Sequence, residues 1–155
     1  MGVKSALIIA GIVVAVTAVV LGVYVGYAVY EGHQLDLSSK RYTQKNVPPI
    51  LSSWSKEELL ERSSKPLRKV VEAHSAQVDR LFQKLSQLGG LKSFGDVKGQ
   101  ANIAYRLGRG TVVTASYVGN AKFEHGEGTV KIRLLREAGE WKFLMFRVNS
   151  PIFLQ

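Results

Sequence analysis

The stretch that decides the fold is AYRLGRGTVVTASYVGNAKFEHGEGTVKIRLLREAGEWKFLMFRVNSP, residues 104–151. Apolar and polar residues alternate along it, most clearly over residues 130–134, where Val, Ile and Leu take turns with Lys and Arg. A period of two places successive side chains on opposite faces of a strand. The pattern therefore predicts a β-sheet with one face in the core.

Short glycine-bearing segments interrupt this pattern at residues 107–110, 125–128 and 137–140. Loops of this length join antiparallel neighbours. We therefore predict a four-stranded antiparallel meander, with strands near residues 98–107, 111–125, 128–137 and 140–150. Gly119, inside the second strand, predicts a bulge that bends the sheet. The last strand is apolar on both faces from residue 141 to 148, so it is either well covered or leaves one face for a partner.

Helices precede the sheet. Ser55 and Glu58 have the spacing of a capping box, and Ser64 before Pro66 predicts the N-cap of a second helix. An apolar stripe with alternating spacings of four and three then runs through Leu67, Val71, His74, Val78, Leu81, Leu85 and Leu88, widened by Val70 and Phe82. It predicts an amphipathic helix of about 23 residues, ended by Gly89 and Gly90. We expect this helix to lie across the sheet, although its three heptads would also suit a short coiled coil.

Residues 5–30 read SALIIAGIVVAVTAVVLGVYVGYAVY and carry no charge. Crossing a bilayer takes roughly 20 apolar residues, so we predict a transmembrane anchor over residues 1–30. Tyr24, Tyr27 and Tyr30 cluster at one end, where tyrosine rings favour the membrane interface. A cleaved signal peptide is the alternative, but its apolar region spans only about 7–15 residues.

The charges around this segment give two interpretations of its orientation. Counting basic residues favours a cytoplasmic C-terminal domain, because three lie within residues 40–45 and only Lys4 precedes the segment. Lys4 sits directly at the membrane, however, and Glu31 and Asp36 come first on the far side. Because single N-terminal anchors often act as uncleaved signals, we expect the domain on the periplasmic side of a bacterial inner membrane.

Small residues recur at four-residue spacing in the anchor, at Ala18, Gly22 and Gly26. Such spacing lets two helix backbones approach closely in lipid. It predicts packing against a membrane protein partner or against a second copy of the same helix. The alternative is that Gly and Ala are simply common in transmembrane helices.

Residues 31–53 are polar, lack sustained periodicity and contain Pro48 and Pro49. Consecutive prolines favour an extended chain. We therefore predict a linker over residues 31–53 and an α+β domain over residues 54–155.

A long helix followed by a curled four-stranded antiparallel meander resembles the cystatin-like and NTF2-like architecture. Residues 104–135 resemble the central strands of small exported NTF2-like domains, and residues 136–151 resemble their closing strand. A more distant likeness is to membrane-anchored assembly factors of cytochrome oxidase. These families range from enzymes to scaffolds, so the resemblance implies a fold without choosing a function.

The sequence offers little chemistry. It has no cysteine, which excludes disulfides, thiolate nucleophiles and zinc sites of the Cys type, and its three histidines lack metal-ligand spacing. NTF2-like enzymes place Asp, His or Tyr between helix and sheet, and the resemblance therefore makes His74, Tyr105 and Tyr117 candidates for a pocket. Because no nucleophile–base pair is evident, we predict no enzyme activity and no catalytic, cofactor or metal site.

The chain carries 21 Lys and Arg against 12 Asp and Glu, a net charge of +9. A basic surface attracts anionic lipid, nucleic acid or acidic protein faces. The predicted anchor argues against nucleic acid. We expect a single-pass membrane accessory protein whose domain binds or scaffolds a partner in a membrane complex. The alternative is a tethered ligand-binding or enzymatic NTF2-like pocket, which would need a cavity between helix and sheet.

Overall fold

The computed structural model describes residues 3–108 and 110–154, and the side chains of residues 3–16, 106, 153 and 154 lie outside that description. The chain divides into two compact units, Met1–Leu35 and Asp36–Gln155. The helices are α1 (Val3–Ser53), α2 (Lys56–Glu61), α3 (Lys65–Ala73) and α4 (Ser75–Leu85). The strands are β1 (Leu91–Phe94), β2 (Lys98–Arg106), β3 (Gly110–Phe123), β4 (Gly126–Glu137) and β5 (Glu140–Asn149). Short 3-10 helices follow α4 at Ser86–Leu88 and β5 at Pro151–Leu154.

The first unit consists of the N-terminal part of α1, and residues 17–30 are all exposed. Among the residues that the structure describes, no helix has both the length and the apolarity needed to cross a membrane. The predicted anchor, residues 1–30, depends on residues 1–16 for half its length, and their side chains lie outside the described residues.

The predicted extended linker is helical, because α1 continues to Ser53 with Pro48 and Pro49 inside it. Each proline removes one helical hydrogen bond, at a cost of about 3 kcal/mol. The carbonyls that lose these bonds belong to residues 44 and 45, which are exposed and open to water. Val47, Ile50 and Leu51 are fully buried, and burying each contributes about 1.5–3 kcal/mol. Burial therefore offsets the proline cost, and the folded domain begins at Asp36 rather than at residue 54.

The second half of α1 runs along β3. Near its start the Ser39 and Tyr117 hydroxyls lie 2.8 Å apart, and beyond its end the Trp54 and Phe123 rings are 5.2 Å apart. Fifteen helical residues rise about 22 Å, and six strand residues span about 20 Å, so the two segments match in length. Helix and strand therefore lie side by side over this whole distance.

The sheet is antiparallel and has five strands rather than the predicted four. The four predicted strands are present as β2 to β5, with bounds within two residues of the prediction. The additional strand, β1, pairs with the last part of β3, whereas β2 pairs with its first nine residues. β1 and β2 therefore form one interrupted edge, and β5 forms the opposite edge.

The predicted bulge at Gly119 is wrong. Gly119 pairs regularly with Val130, and the irregularities in register fall between Leu91 and Ser93 and between Arg133 and Leu134. A Cβ at position 119 would lie 2.9 Å from the Phe94 ring. The glycine is therefore explained by close packing of β1 rather than by a bend.

The helix starts agree with the sequence. Ser55 accepts a hydrogen bond from the Glu58 amide at 3.3 Å, and Ser64 accepts one from the Leu67 amide at 3.4 Å. The single long helix predicted after Ser64 is wrong, because it breaks at His74 into α3 and α4. The His74 Nδ1 lies 3.0 Å from the Val70 carbonyl oxygen, a side-chain contact that competes with regular helical bonding.

The Tyr42 side chain reaches from α1 to β5, where its ring centroid lies 5.6 Å from that of Phe143. Burial raises the pKa of Tyr42 to about 12 from 10.0, Arg62 acts in the opposite direction, and Glu140 adds to the rise. The folded state thus holds the phenolic proton more tightly than the unfolded state does. This contribution to stability is complete below pH 10 and is lost as the pH rises through about 12.

We therefore expect the unfolding temperature of the native domain to fall steeply between pH 10 and about 12, and Tyr42→Phe to flatten that fall. Thermal unfolding followed by circular dichroism measures the slope. Tyr105→Phe is the control, since Tyr105 is 79% exposed. Equal slopes for Tyr42→Phe and the native chain would contradict the assignment.

Candidate functional site

The space between α1 and the sheet is filled. Val47, Ile50 and Leu51 from α1 have no exposed surface, and on the sheet side Phe143 has none and Tyr117 only 2%. Residues at the centre of the domain therefore form a packed core. The predicted NTF2-like pocket was expected elsewhere, between the sheet and the helix that the structure divides into α3 and α4.

The structure does not bring the three candidate pocket residues together. His74 is exposed at the helix break, and Tyr105 is 79% exposed on β2, where it pairs with Thr111. Tyr117 is buried six residues further along β3, a distance of about 20 Å along a strand. Its hydroxyl also donates to the Asp36 carbonyl at 3.2 Å, and burial raises its pKa. Tyr117 thus has a structural role in fixing α1 on the sheet.

Among the residues that the structure describes, no group of three or more His, Asp or Glu side chains is placed to hold a metal ion. The acidic groups that reach across elements make structural contacts instead. Asp36 accepts from the Ala101 amide at 2.6 Å, and Asp96 accepts from Lys40 at 3.0 Å and from Gln44 at 2.7 Å. These three bonds tie α1 to the interrupted edge of the sheet.

An apolar groove lies on the surface between the helices and β5. One section of about 540 Å³ is lined by α4, Thr129 of β4, the end of β5 and the residues that follow it. The next section of about 470 Å³ is lined by α2, α3, α4 and β5. The two sections share Leu81, Leu85, Val148 and Asn149 and are therefore continuous. We call this feature the β5 groove and define it by the lining residues Leu59, Leu67, Val70, Val71, Val78, Leu81, Phe82, Lys84, Leu85, Thr129, Phe146, Arg147, Val148, Asn149, Ser150 and Pro151.

The helix side of the β5 groove comes from the apolar stripe that the sequence shows. Val71, Phe82 and Leu85 are buried, but Val70 and Leu81 remain 56% and 53% exposed. The break at His74 divides the stripe between two helices, and the fold leaves its outer part uncovered. Exposed apolar surface of this kind is a candidate binding site for another molecule.

β5 forms the floor of the groove and is an edge strand. Near its start Arg62–Ser64 covers it, with the Phe143 amide donating to the Arg62 carbonyl at 2.7 Å and the Ser64 amide donating to the Phe143 carbonyl at 2.8 Å. From Met145 to Asn149 no described segment pairs with its outer side. We call Met145–Asn149 the open edge of β5.

The charge at the groove is positive. Its lining includes Lys84 and Arg147 and, among the described residues, no Asp or Glu. Arg147 also lies directly opposite Lys131 of β4, and like charges in cross-strand positions repel. Neither residue has an ion-pair partner in the described part of the chain. The groove is thus suited to a partner with negative charge.

The residues predicted to pack in a membrane lie on the exposed part of α1. Ala18, Gly22 and Gly26 are exposed, and a Cβ added at either glycine would meet no described atom within 4 Å. The interface tyrosines are also open, with Tyr24, Tyr27 and Tyr30 at 66%, 64% and 63% exposure. Both groups remain accessible in this structure.

Sequence reasoning did not identify the β5 groove as a site. Two signals pointed to it: the stripe that continues from Leu67 to Leu88, and the last strand that is apolar on both faces. Neither signal shows which residues the fold covers. None of the protein families, characterised proteins or solved structures compared with this chain matches it.

Proposed function

We propose that this chain is a single-pass membrane accessory protein whose α+β domain, on the periplasmic side, binds or scaffolds a partner in a membrane complex. The observation that carries the proposal is the filled core combined with an open apolar groove on the surface. The core side chains under α1 are buried, and the pocket of about 520 Å³ that α1 forms with the start of β5 is open at the surface, whereas an exposed groove beside an edge strand suits a protein partner.

The proposal of membrane anchoring is supported by the exposed part of α1. Residues 17–30 carry no charge and are exposed at every position, including Val19, Val23 and Val29 at 65%, 68% and 67%. An uncharged helix that is apolar all round is favoured in lipid. Residues 5–16, which precede it, are equally free of charge.

Affinity purification of the tagged full chain in mild detergent tests the proposal. We expect a membrane protein partner to co-purify in a fixed ratio, and Gly22→Leu or Gly26→Leu to reduce its recovery severalfold, because the larger side chain separates the helices. Ala28→Leu, on a different side of the helix, is the matched control. If the chain elutes alone, or if all three variants behave alike, the helix-packing part of the proposal is wrong.

A topology measurement tests the location. A reporter enzyme that is active only outside the cytoplasm, fused after Gln155, should be active in intact cells. The same reporter fused to a chain that starts at Asp36 is the control and should be inactive. Activity from both fusions, or from neither, would contradict an exported, anchored domain.

A further inference from the structure

We infer that the β5 groove receives an extended segment of the partner protein, which adds to the open edge of β5 as a further strand and carries alternating apolar and acidic residues. This inference rests on the proposed function, since it specifies the chemistry of the partner. Three features of the groove support this assignment: its unpaired backbone, its apolar wall and its charge.

The backbone of the open edge determines the conformation of the occupant. Met145–Asn149 is hydrogen-bonded to β4 on one side only, and no described segment continues the cover that Arg62–Ser64 gives to Phe143. The outward N–H and C=O groups of an edge strand pair with any extended chain laid beside them. A helical occupant would leave these groups unused.

The alternation of side chains along β5 determines which residues of the bound segment are apolar. All four residues from Phe146 to Asn149 lie at the groove, but their side chains alternate: those of Phe146 and Val148 are half-buried, whereas those of Arg147 and Asn149 are exposed. A strand added beside β5 follows the same alternation, so every second residue faces the apolar wall that includes Leu81. Those residues are therefore apolar.

The remaining residues of the occupant lie beside Arg147. The register across the sheet places Lys98, Val118, Lys131 and Arg147 in one row, so the row holds three cations and no acid. A Glu or Asp next to Arg147 forms a charge-assisted hydrogen bond and relieves the repulsion between Arg147 and Lys131. An acidic residue is therefore favoured at that position.

A second copy of this chain fits the groove less well. Paired β5 strands would bring Met145, Arg147 and Asn149 of one copy beside the same residues of the other, and none of them is acidic. Arg147 would face further positive charge across the new interface. We therefore assign the groove to a different, acidic segment rather than to self-association.

The test uses the full chain in nanodiscs of neutral phosphatidylcholine, which present no anionic lipid. The probes are fluorescent peptides of about seven residues in which valine alternates with glutamate or with lysine, sized to the open edge. Fluorescence anisotropy should show binding of the glutamate peptide and at least about tenfold weaker binding of the lysine peptide. Two further peptides are the glutamate peptide methylated at the backbone amides of its odd-numbered or of its even-numbered residues. Only one of the two should fail to bind, because only one set of amides faces β5 and donates hydrogen bonds to it.

Three variants test the assignment to this groove. Arg147→Glu should reverse the preference, so that the lysine peptide binds more tightly. Lys98→Glu is the matched control: it makes the same charge change three strands away, about 14 Å, and should leave the preference for glutamate in place. Leu81→Gln should weaken the binding of both peptides. Because Leu81 is 53% exposed, the unfolding temperature of this variant should equal that of the native chain.

Failure of the glutamate peptide to bind would overturn the inference, as would an equal response to Arg147→Glu and Lys98→Glu. Dimerisation of the full chain in detergent that Arg147→Gln strengthens, because the facing like charges are removed, would assign the groove to a second copy instead. These outcomes leave the proposed function standing if the co-purifying partner is still recovered. If the peptide binds but no partner is recovered from membranes, the groove inference holds and the membrane-complex proposal fails.

Discussion

A fragment that starts at Trp54 is expected not to fold, whereas a fragment that starts at Asp36 should unfold cooperatively. The shorter fragment contains all five strands but lacks the half of α1 that covers them. Removing that half exposes Tyr117 and Phe143 and deletes Val47, Ile50 and Leu51, which are fully buried. At about 1.5–3 kcal/mol for each apolar side chain, the loss is comparable to the whole stability of a small domain.

Denaturant titration followed by tryptophan fluorescence and circular dichroism measures this difference. Two substitutions in the longer fragment provide a graded comparison. Ile50→Ala should cost about 2–5 kcal/mol, because Ile50 is fully buried, and Leu37→Ala should cost below about 1 kcal/mol, because Leu37 is 46% exposed. Cooperative unfolding of the fragment from Trp54 would show that residues 36–53 are a linker after all.

The second large effect is expected at Gly99 in β2. Its φ of +154° is a conformation that side-chain-bearing residues rarely adopt. A Cβ there would overlap the Ser116 carbonyl oxygen and would lie 2.8 Å from the Ser116 carbonyl carbon and 2.9 Å from the Tyr117 Cα. Because these are backbone atoms of β3, relief requires the two strands to separate. We expect Gly99→Ala to destabilise the domain by about 3 kcal/mol or more.

Gly95→Ala is the matched control for this prediction. Gly95 lies in the connection between β1 and β2, and its added Cβ would make an ordinary contact of 3.4 Å with the Asn120 carbonyl oxygen. We expect a change within about 1 kcal/mol. Chemical denaturation of both variants gives the comparison, and a similar loss for the two would show that the close approach of β2 and β3 at Gly99 is not required.

The strands that the sequence predicted share a strong signal. Residues 130–134 alternate without exception, and turns of a few residues with glycine separate the long strands, so local pattern and tertiary structure agree. β1 has only four residues and follows the 3-10 helix after Gly89 and Gly90, so no alternation can be recognised in it. Its position depends on pairing with Ala121–Phe123, about 30 residues later, which local pattern does not encode.

The helical conformation of the second half of α1 was not predicted, for a different reason. Its buried positions include Ser39 and Thr43, whose hydroxyls bond to Tyr117 and to the Ser39 carbonyl, so the buried face does not read as apolar. The spacing of residues 39, 43, 47 and 50 nevertheless follows a helix. The two prolines outweighed this weaker signal, although tertiary burial reverses their effect in the folded chain.

The candidate site could be predicted only in its parts. The stripe from Leu67 to Leu88 and the apolar last strand are evident in the sequence, but the groove they form requires the helix break at His74 and the position of β5 at the sheet edge. Both are consequences of the complete fold. His74, Tyr105 and Tyr117, which the resemblance made candidates for one pocket, lie apart in the fold. Residue types alone therefore did not predict where these side chains lie.

The contact between Tyr42 and Phe143 joins residues about a hundred positions apart. A ribosome adds about 5–20 residues per second, so α1 leaves the exit tunnel some 5–20 s before the strand it must meet. Throughout that interval Val47, Ile50 and Leu51 have no sheet to cover them. The domain therefore completes its fold only after β5 has been synthesised, and until then the apolar face of α1 stays exposed on the nascent chain.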